Sequence, residues 1–153
     1  MFTFGSRSLE ELGTCHPDLR IIADEALIVS PIDWGISDGG RTFDEQLKYF
    51  LKGASTLDPR IPEKRKKANH LKTPSMAFDF YAYVPGKREL AYDLSHLCLI
   101  AGVIISTANR LYAEGKISHL VRWGGNWDRD GEILTDQSFD DSPHIELYKP
   151  KAG

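Results

Sequence analysis

The chain has 153 residues, 41% of them apolar and 27% charged, ordinary globular usage that excludes disorder, collagen and coiled coil as whole-chain descriptions. A chain this long makes one domain and buries roughly 68–70% of the surface its unfolded form exposes, so it can build a core without disulfides. Its 19 basic and 22 acidic side chains leave a net charge of −3, which argues against a generic nucleic-acid binder.

Cys15 and Cys98 stand far apart without a CxxC partner, a usage that fits a reducing compartment. The stretch Met1–Arg7 lacks an apolar h-region, so no signal peptide is expected. The longest apolar run, near Leu97–Ile105, falls far short of the ~20 residues that span a bilayer. The expectation is a single-domain, monomeric, soluble protein made in the cytosol, without stable membrane association.

Ser8-Leu9-Glu10-Glu11 reads as a capping box. A helix restarts at Pro17, a favoured first position, and runs to about Val29 with Leu19, Ile22, Ala23, Ala26 and Leu27 as its apolar stripe. Pro31 ends it, Trp34–Ser37 is a short strand, and Asp38-Gly39-Gly40 signals a turn. Thr42-Phe43-Asp44-Glu45 is a second capping box, predicting a helix over 43–52 that stops at Gly53. Residues 54–74, with Pro59, Pro62 and Pro74, read as irregular and hold the basic run Lys64-Arg65-Lys66-Lys67. Such a run is a solvated face or a means of steering toward anionic polymers.

Ser75–Val84 alternates, with Met76, Phe78, Phe80, Ala82 and Val84 on one face and Ala77, Asp79, Tyr81 and Tyr83 on the other. Helical period from Leu94 to Tyr112 predicts a central helix over about 91–114, stopped by Gly115. His119–Trp123 is a strand, 126–142 is polar loop, and Pro143–Tyr148 is a last strand with His144, Glu146 and Tyr148 on one face. Strands and helices do not alternate regularly, which points to α+β with a small, mainly antiparallel sheet packed on helices.

His70, Asp79, Asp141 and His144 form the most informative group. A carboxylate on a strand as apolar as that of Asp79 is costly unless paired or metal-bound. Two His and one carboxylate suit zinc with a fourth position open, and structural or surface roles for each are the competing reading. His16, His96 and His119 match no motif and read as cap, helix or surface residues. Asn126-x-Asp128-x-Asp130-Gly131 matches the first half of a calcium loop, but Gln137 stands where its last ligand, Glu, belongs, so a solvated turn is expected. Tyr81, Tyr83 and Trp127 are candidates for a cleft lining or for the core.

Asn69-His70-x8-Asp79 followed by Asp141-Ser-Pro-His144 resembles the zinc site of the D-alanyl-D-alanine carboxypeptidase family of metallopeptidases, which includes phage L-alanyl-D-glutamate endopeptidases and shares its fold with the Hedgehog signalling domain. Gly39-Gly40-Arg41-Thr42 with Gln46, and Trp123-Gly-Gly-Asn-Trp127, resemble further segments of that family in the same order. Three departures mark the match. His70 and Asp79 are nine apart instead of seven, implying a two-residue insertion; Lys72-Thr73-Pro74-Ser75 replaces the usual Gly region; Ala68 stands where Ser is usual.

The resemblance implies a zinc peptidase in which His70, Asp79 and His144 bind Zn2+ and Asp141 is the general base, with Asp140 its neighbour and rival. Arg41 would neutralise charge on the scissile carbonyl or hold a substrate carboxylate, and Gln46 and Trp127 would contact substrate. Asp rather than Glu at 141 resembles the endopeptidase branch of phage lysis enzymes, which cut the L-Ala–D-Glu bond of peptidoglycan stem peptides. Such an enzyme would gather in the host cytoplasm and reach the wall through a separate membrane pore. The alternatives are a D-Ala-D-Ala carboxypeptidase of the same fold, a non-catalytic zinc-bearing wall-binding module and, against the acidic balance, a nucleic-acid-binding domain using Lys64–Lys67.

Overall fold

Two apolar helical stripes and one alternating strand organise the chain around a shared core. The computed structural model describes residues 1–151. Its elements are α1 (Ser6–Leu12), α2 (Pro17–Val29), β1 (Trp34–Asp38), α3 (Phe43–Leu51), α4 (Pro62–Lys67), β2 (Ala77–Ala82), α5 (Leu94–Ala113), β3 (Leu120–Gly124) and β4 (Asp141–Tyr148), with single 3₁₀ turns at Asn69–Leu71 and Arg88–Leu90.

The strands form one antiparallel sheet in the order β1-β2-β4-β3. Period-2 alternation divides its faces. Trp34, Ile36, Phe78, Phe80, Trp123, Ile145 and Leu147 point into the core. There they meet Leu19, Ile22, Ala23 and Ala26 of α2 and Ile100, Ala101, Ile104 and Ala108 of α5. At 20 residues α5 is long and apolar enough to cross a membrane by composition, yet its stripe lies against the sheet and α2.

Helix ends follow local chemistry. The Thr42 hydroxyl accepts from Glu45 N–H and the Glu45 carboxylate accepts from Thr42 N–H, the expected reciprocal box. Pro17 and Pro62 both occupy first turns, where a missing N–H costs nothing. Pro62 thereby starts a helix inside the stretch that reads as irregular in sequence. The expected box at Ser8 does not form: α1 begins three residues earlier, with Gly5 as its N-cap, and the Ser8 hydroxyl instead accepts from Ile36 N–H of β1 at 3.0 Å. A Ser-x-x-Glu pattern is satisfied equally well by a tertiary donor.

The register decides what the polar face presents. Asp38 of β1 pairs with Asp79 of β2, and Asp79 pairs with His144 of β4. Three chemically active side chains therefore lie in one row across neighbouring strands. At the start of β4, Asp141 pairs with Gly124 across a register shift whose extra residues, Ser142–His144, lie in β4.

Candidate metal centre and active site

His70 enters from the 3₁₀ turn beyond α4, Asp79 from β2 and His144 from β4. The loop 69–76 is closed by a bond from Met76 N–H to the Asn69 carbonyl, which leaves Lys72, Thr73 and Pro74 exposed while His70 meets Asp79. His70 Nε2 lies 3.2 Å from His144 Nδ1 and 3.3 Å from Asp79 Oδ1, and His144 Nδ1 lies 3.2 Å from Asp79 Oδ1. A tetrahedral ion with ligand bonds of about 2.0–2.1 Å sets its donor atoms roughly 3.3 Å apart. The triangle fits zinc.

The outer nitrogens fix the inner ones. His70 Nδ1 donates to the Gly39 carbonyl at 2.6 Å, an oxygen that can only accept. His144 Nε2 donates to Glu146 Oε1 at 2.8 Å. His70 Nε2 and His144 Nδ1 are thereby left facing Asp79, and with a metal bound they would offer it their lone pairs, the arrangement that orients metal-bound histidines. Burial alone would raise the Asp79 carboxyl, but His70 and His144 outweigh it and hold it far below the usual range. Burial likewise disfavours a charged His144, yet Asp79 and Glu146 lift it to about 10. Without a metal, the cluster recruits a proton as its cation; a bound ion displaces it.

Glu146 is buried, and burial alone would raise its carboxyl; the His144 bond and Arg122 hold it at about 2. Arg122 Nη2 bonds Glu146 Oε2 at 2.5 Å, and its guanidinium stands 5.4 Å over the Trp127 ring. Trp127 in turn packs 5.7 Å from the His144 ring. His144, Glu146, Arg122 and Trp127 thus close a ring that leaves the imidazole one orientation. Sequence reading missed Glu146 and Arg122 as site residues. The available signal was Glu146 standing two residues after His144 on one strand face; Arg122 required the β3–β4 register.

Arg41 bridges the paired carboxylates. Its Nε donates to Asp38 at 2.5 Å, Nη1 to Gln46 Oε1 at 3.1 Å and Nη2 to Asp79 at 3.0 Å. Three of a guanidinium's five N–H groups are engaged, and the ring of Tyr49 packs against it at 4.1 Å. Gln46 is buried; its oxygen meets Arg41 and its nitrogen donates to Ser55 and Leu57. It lines the cleft beside Arg41 and braces its guanidinium.

Asp141 Oδ2 stands 3.8 Å from His144 Nδ1 with its side chain 32% exposed. Burial raises its carboxyl above the ordinary value, with the Asp79 charge adding and the histidines opposing. Asp140 points away, accepting from Gln137 at 2.7 Å. The cleft over these groups has a volume of about 410 Å³ and is walled by Trp127, Phe139, Tyr49 and Lys67. Tyr81 and Tyr83 lie outside it, on a neighbouring depression.

The remaining histidines differ from expectation in one case. His16 caps α2, its Nδ1 accepting from Asp18 N–H, and His96 sits in the first turn of α5 against Asp93. His119 is buried rather than superficial, 2.8 Å from the Asp18 carboxylate. Asp128, Asp130 and Asp136 converge at an exposed turn, while Gln137 bonds Gly124, Trp127 and Phe139 instead of joining them.

Residues 1–148 match the family model of the phage L-alanyl-D-glutamate peptidases. The chain belongs to this family. The L-alanyl-D-glutamate peptidase of Escherichia phage T5 is 28% identical to this peptidase over 149 residues, covering 95% of this chain and 98% of that protein. The crystal structure of the Serratia marcescens L-Ala D-Glu endopeptidase ChiX shares the fold, with a TM-score of 0.69 at 24% identity over 95% of this chain and 90% of that one.

Proposed function

We propose that this chain is a zinc-dependent endopeptidase that cuts the L-Ala–D-Glu bond of peptidoglycan stem peptides, acting as a single-domain monomeric phage endolysin. One observation carries the zinc assignment: three donor atoms from separate elements at 3.2–3.3 Å from one another, with a carboxylate beside them. Membership in the L-alanyl-D-glutamate peptidase family supports the bond, in preference to a D-Ala-D-Ala cut.

His70, Asp79 and His144 would hold the zinc, which when bound would supply Lewis acidity and a water of lowered pKa, about 7. Asp141 takes the proton from the attacking water and hands it to the leaving amine. A carboxyl raised by burial is better matched to that shuttle than an ordinary one. The two remaining N–H groups of Arg41 face the charge that builds on the carbonyl oxygen. Trp127 packs the substrate's apolar surface, and Gln46 holds Arg41 in place. Lys67, on the cleft rim, offers a cation to the free carboxylate of D-Glu. The enzyme gathers in the host cytoplasm and reaches the wall through a separate membrane pore; peptidoglycan, not nucleic acid, is its polymer.

The test is mass spectrometry of purified peptidoglycan after digestion, with and without a zinc chelator. Chelator-sensitive release of peptides beginning at D-Glu is expected. Loss of a terminal D-Ala alone would move the enzyme to the carboxypeptidase reaction, and no cleavage would favour a zinc-bearing binding module.

A further inference from the structure

The polar face of the sheet continues past the metal centre. Tyr81 and Tyr83 follow Asp79 at two-residue steps along the same face of β2 and its extension, which Tyr83 N–H continues by bonding the Asp33 carbonyl. Two residues of antiparallel strand cover about 7 Å, so the tyrosines stand roughly 7 and 14 Å from the Asp79 backbone. They line a second open depression of about 700 Å³ with Tyr92, Arg7, Arg88 and Ser37.

Its chemistry is unlike that of an ordinary surface. Tyr83 is 53% and Tyr92 57% exposed, large flat rings that bury little in the fold itself. Arg7 and Arg88 flank these rings, and among the described residues neither guanidinium forms an ion pair, as is also true of Arg20, Arg65 and Arg129. Tyr81 packs over its buried cross-strand partner Gly35, where a Cβ would sit 2.6 Å from the Tyr81 hydroxyl, so the missing side chain is what lets this ring lie against the sheet.

Flat aromatic faces flanked by guanidinium donors suit pyranose rings bearing acetamido and hydroxyl oxygens: rings stack on the apolar faces, and the donors meet the oxygens. The covalent order of peptidoglycan brings such a ring within reach of this depression. The L-Ala before the scissile bond is joined through a lactyl group to an amino sugar. One residue spans about 3.3–3.6 Å, so with the lactyl group the first sugar lies roughly 7 Å from the scissile carbonyl, the same step that separates Asp79 from Tyr81.

We infer that this depression is a glycan subsite, holding the amino-sugar strand that carries the stem peptide being cut. The inference rests on the peptidoglycan endopeptidase reading and extends it from the peptide to the sugar.

Two arms test it. In the first, Tyr83→Ala/Tyr92→Ala and Arg88→Glu are compared with the parent enzyme on a disaccharide-linked stem peptide and on the same peptide without sugar. A fall of roughly tenfold or more in kcat/KM on the sugar-bearing substrate, as aromatic anchors commonly give, with cleavage of the bare peptide unchanged, is expected. Equal effects on both substrates, or none on either, would overturn the subsite. In the second arm, the N-acetylglucosaminyl–N-acetylmuramic acid disaccharide alone is titrated against labelled protein. Shifts at Tyr83 and Tyr92 are expected; shifts confined to the cleft around His70 would overturn the proposal. This arm needs no turnover, so it separates loss of the subsite from failure of the endopeptidase reading.

Discussion

Glu146 holds His144 from behind. Its Oε1 lies 2.8 Å from His144 Nε2, two residues along the same strand face, while the other imidazole nitrogen turns to Asp79. Removing such an orienting partner typically costs 10–100-fold in metal affinity. Glu146→Gln should therefore weaken zinc by about that factor in a chelator-competition titration, and Glu146→Ala by more. Unchanged affinity in both variants would show that Trp127 and the backbone suffice to fix the ring.

Gly124 makes room for the proposed base. A Cβ built there would collide with the backbone carbonyl of Asp141, its cross-strand partner at the bulge. The partner is main chain and cannot swing aside. Gly124→Ala should push Asp141 out of place and lower kcat far more than zinc affinity, since the three atoms nearest the new methyl all belong to Asp141. Kinetics beside zinc titration on the purified variant check this; normal kcat would mean the bulge relaxes without moving the carboxylate.

Asp18 links the start of α2 to the start of β3 across 101 residues, accepting from His119 Nδ1 at 2.8 Å and from Ser118 N–H at 3.0 Å. Burial opposes ionisation, but these bonds, with the charges of His16 and His119, hold its carboxyl below the ordinary value. A depressed carboxyl stabilises the fold above its unfolded pKa of about 3.9, and that contribution fades as pH falls through the lower, folded value. Asp18→Ala should cost about 1–3 kcal/mol near neutral pH, as for a buried acceptor lost, and the gap from wild type should narrow below about pH 4. Denaturant unfolding across pH reads this directly; a gap that widened on acidification would reverse the sign of the argument.

Local signals carried most of the fold. The alternation of residues 75–84 and the helical period after Leu94 appear as β2 and α5 with ends shifted by a few residues. The apolar face of β2 is the core face, and the Thr42 box forms as read. The ligand set was legible only through resemblance, because His70 and His144 are 74 residues apart and nothing local draws them together. What sequence could not show depends on register and long-range packing: the pairing of Arg122 with Glu146, of Asp18 with His119, and the diversion of the Ser8 hydroxyl to Ile36. Pro62 misled for a physical reason, since the same residue that breaks a helix interior is welcome in its first turn.

Zinc content and turnover taken together on Asp141→Asn, with His144→Ala as the ligand control, separate the base from the metal site most directly. The ligand triangle excludes Asp141, so Asp141→Asn should keep one zinc per chain while turnover falls about 10²–10⁴-fold, the usual worth of a general base. His144→Ala should lose both. Near-normal turnover in Asp141→Asn, or full zinc in His144→Ala, would contradict the account.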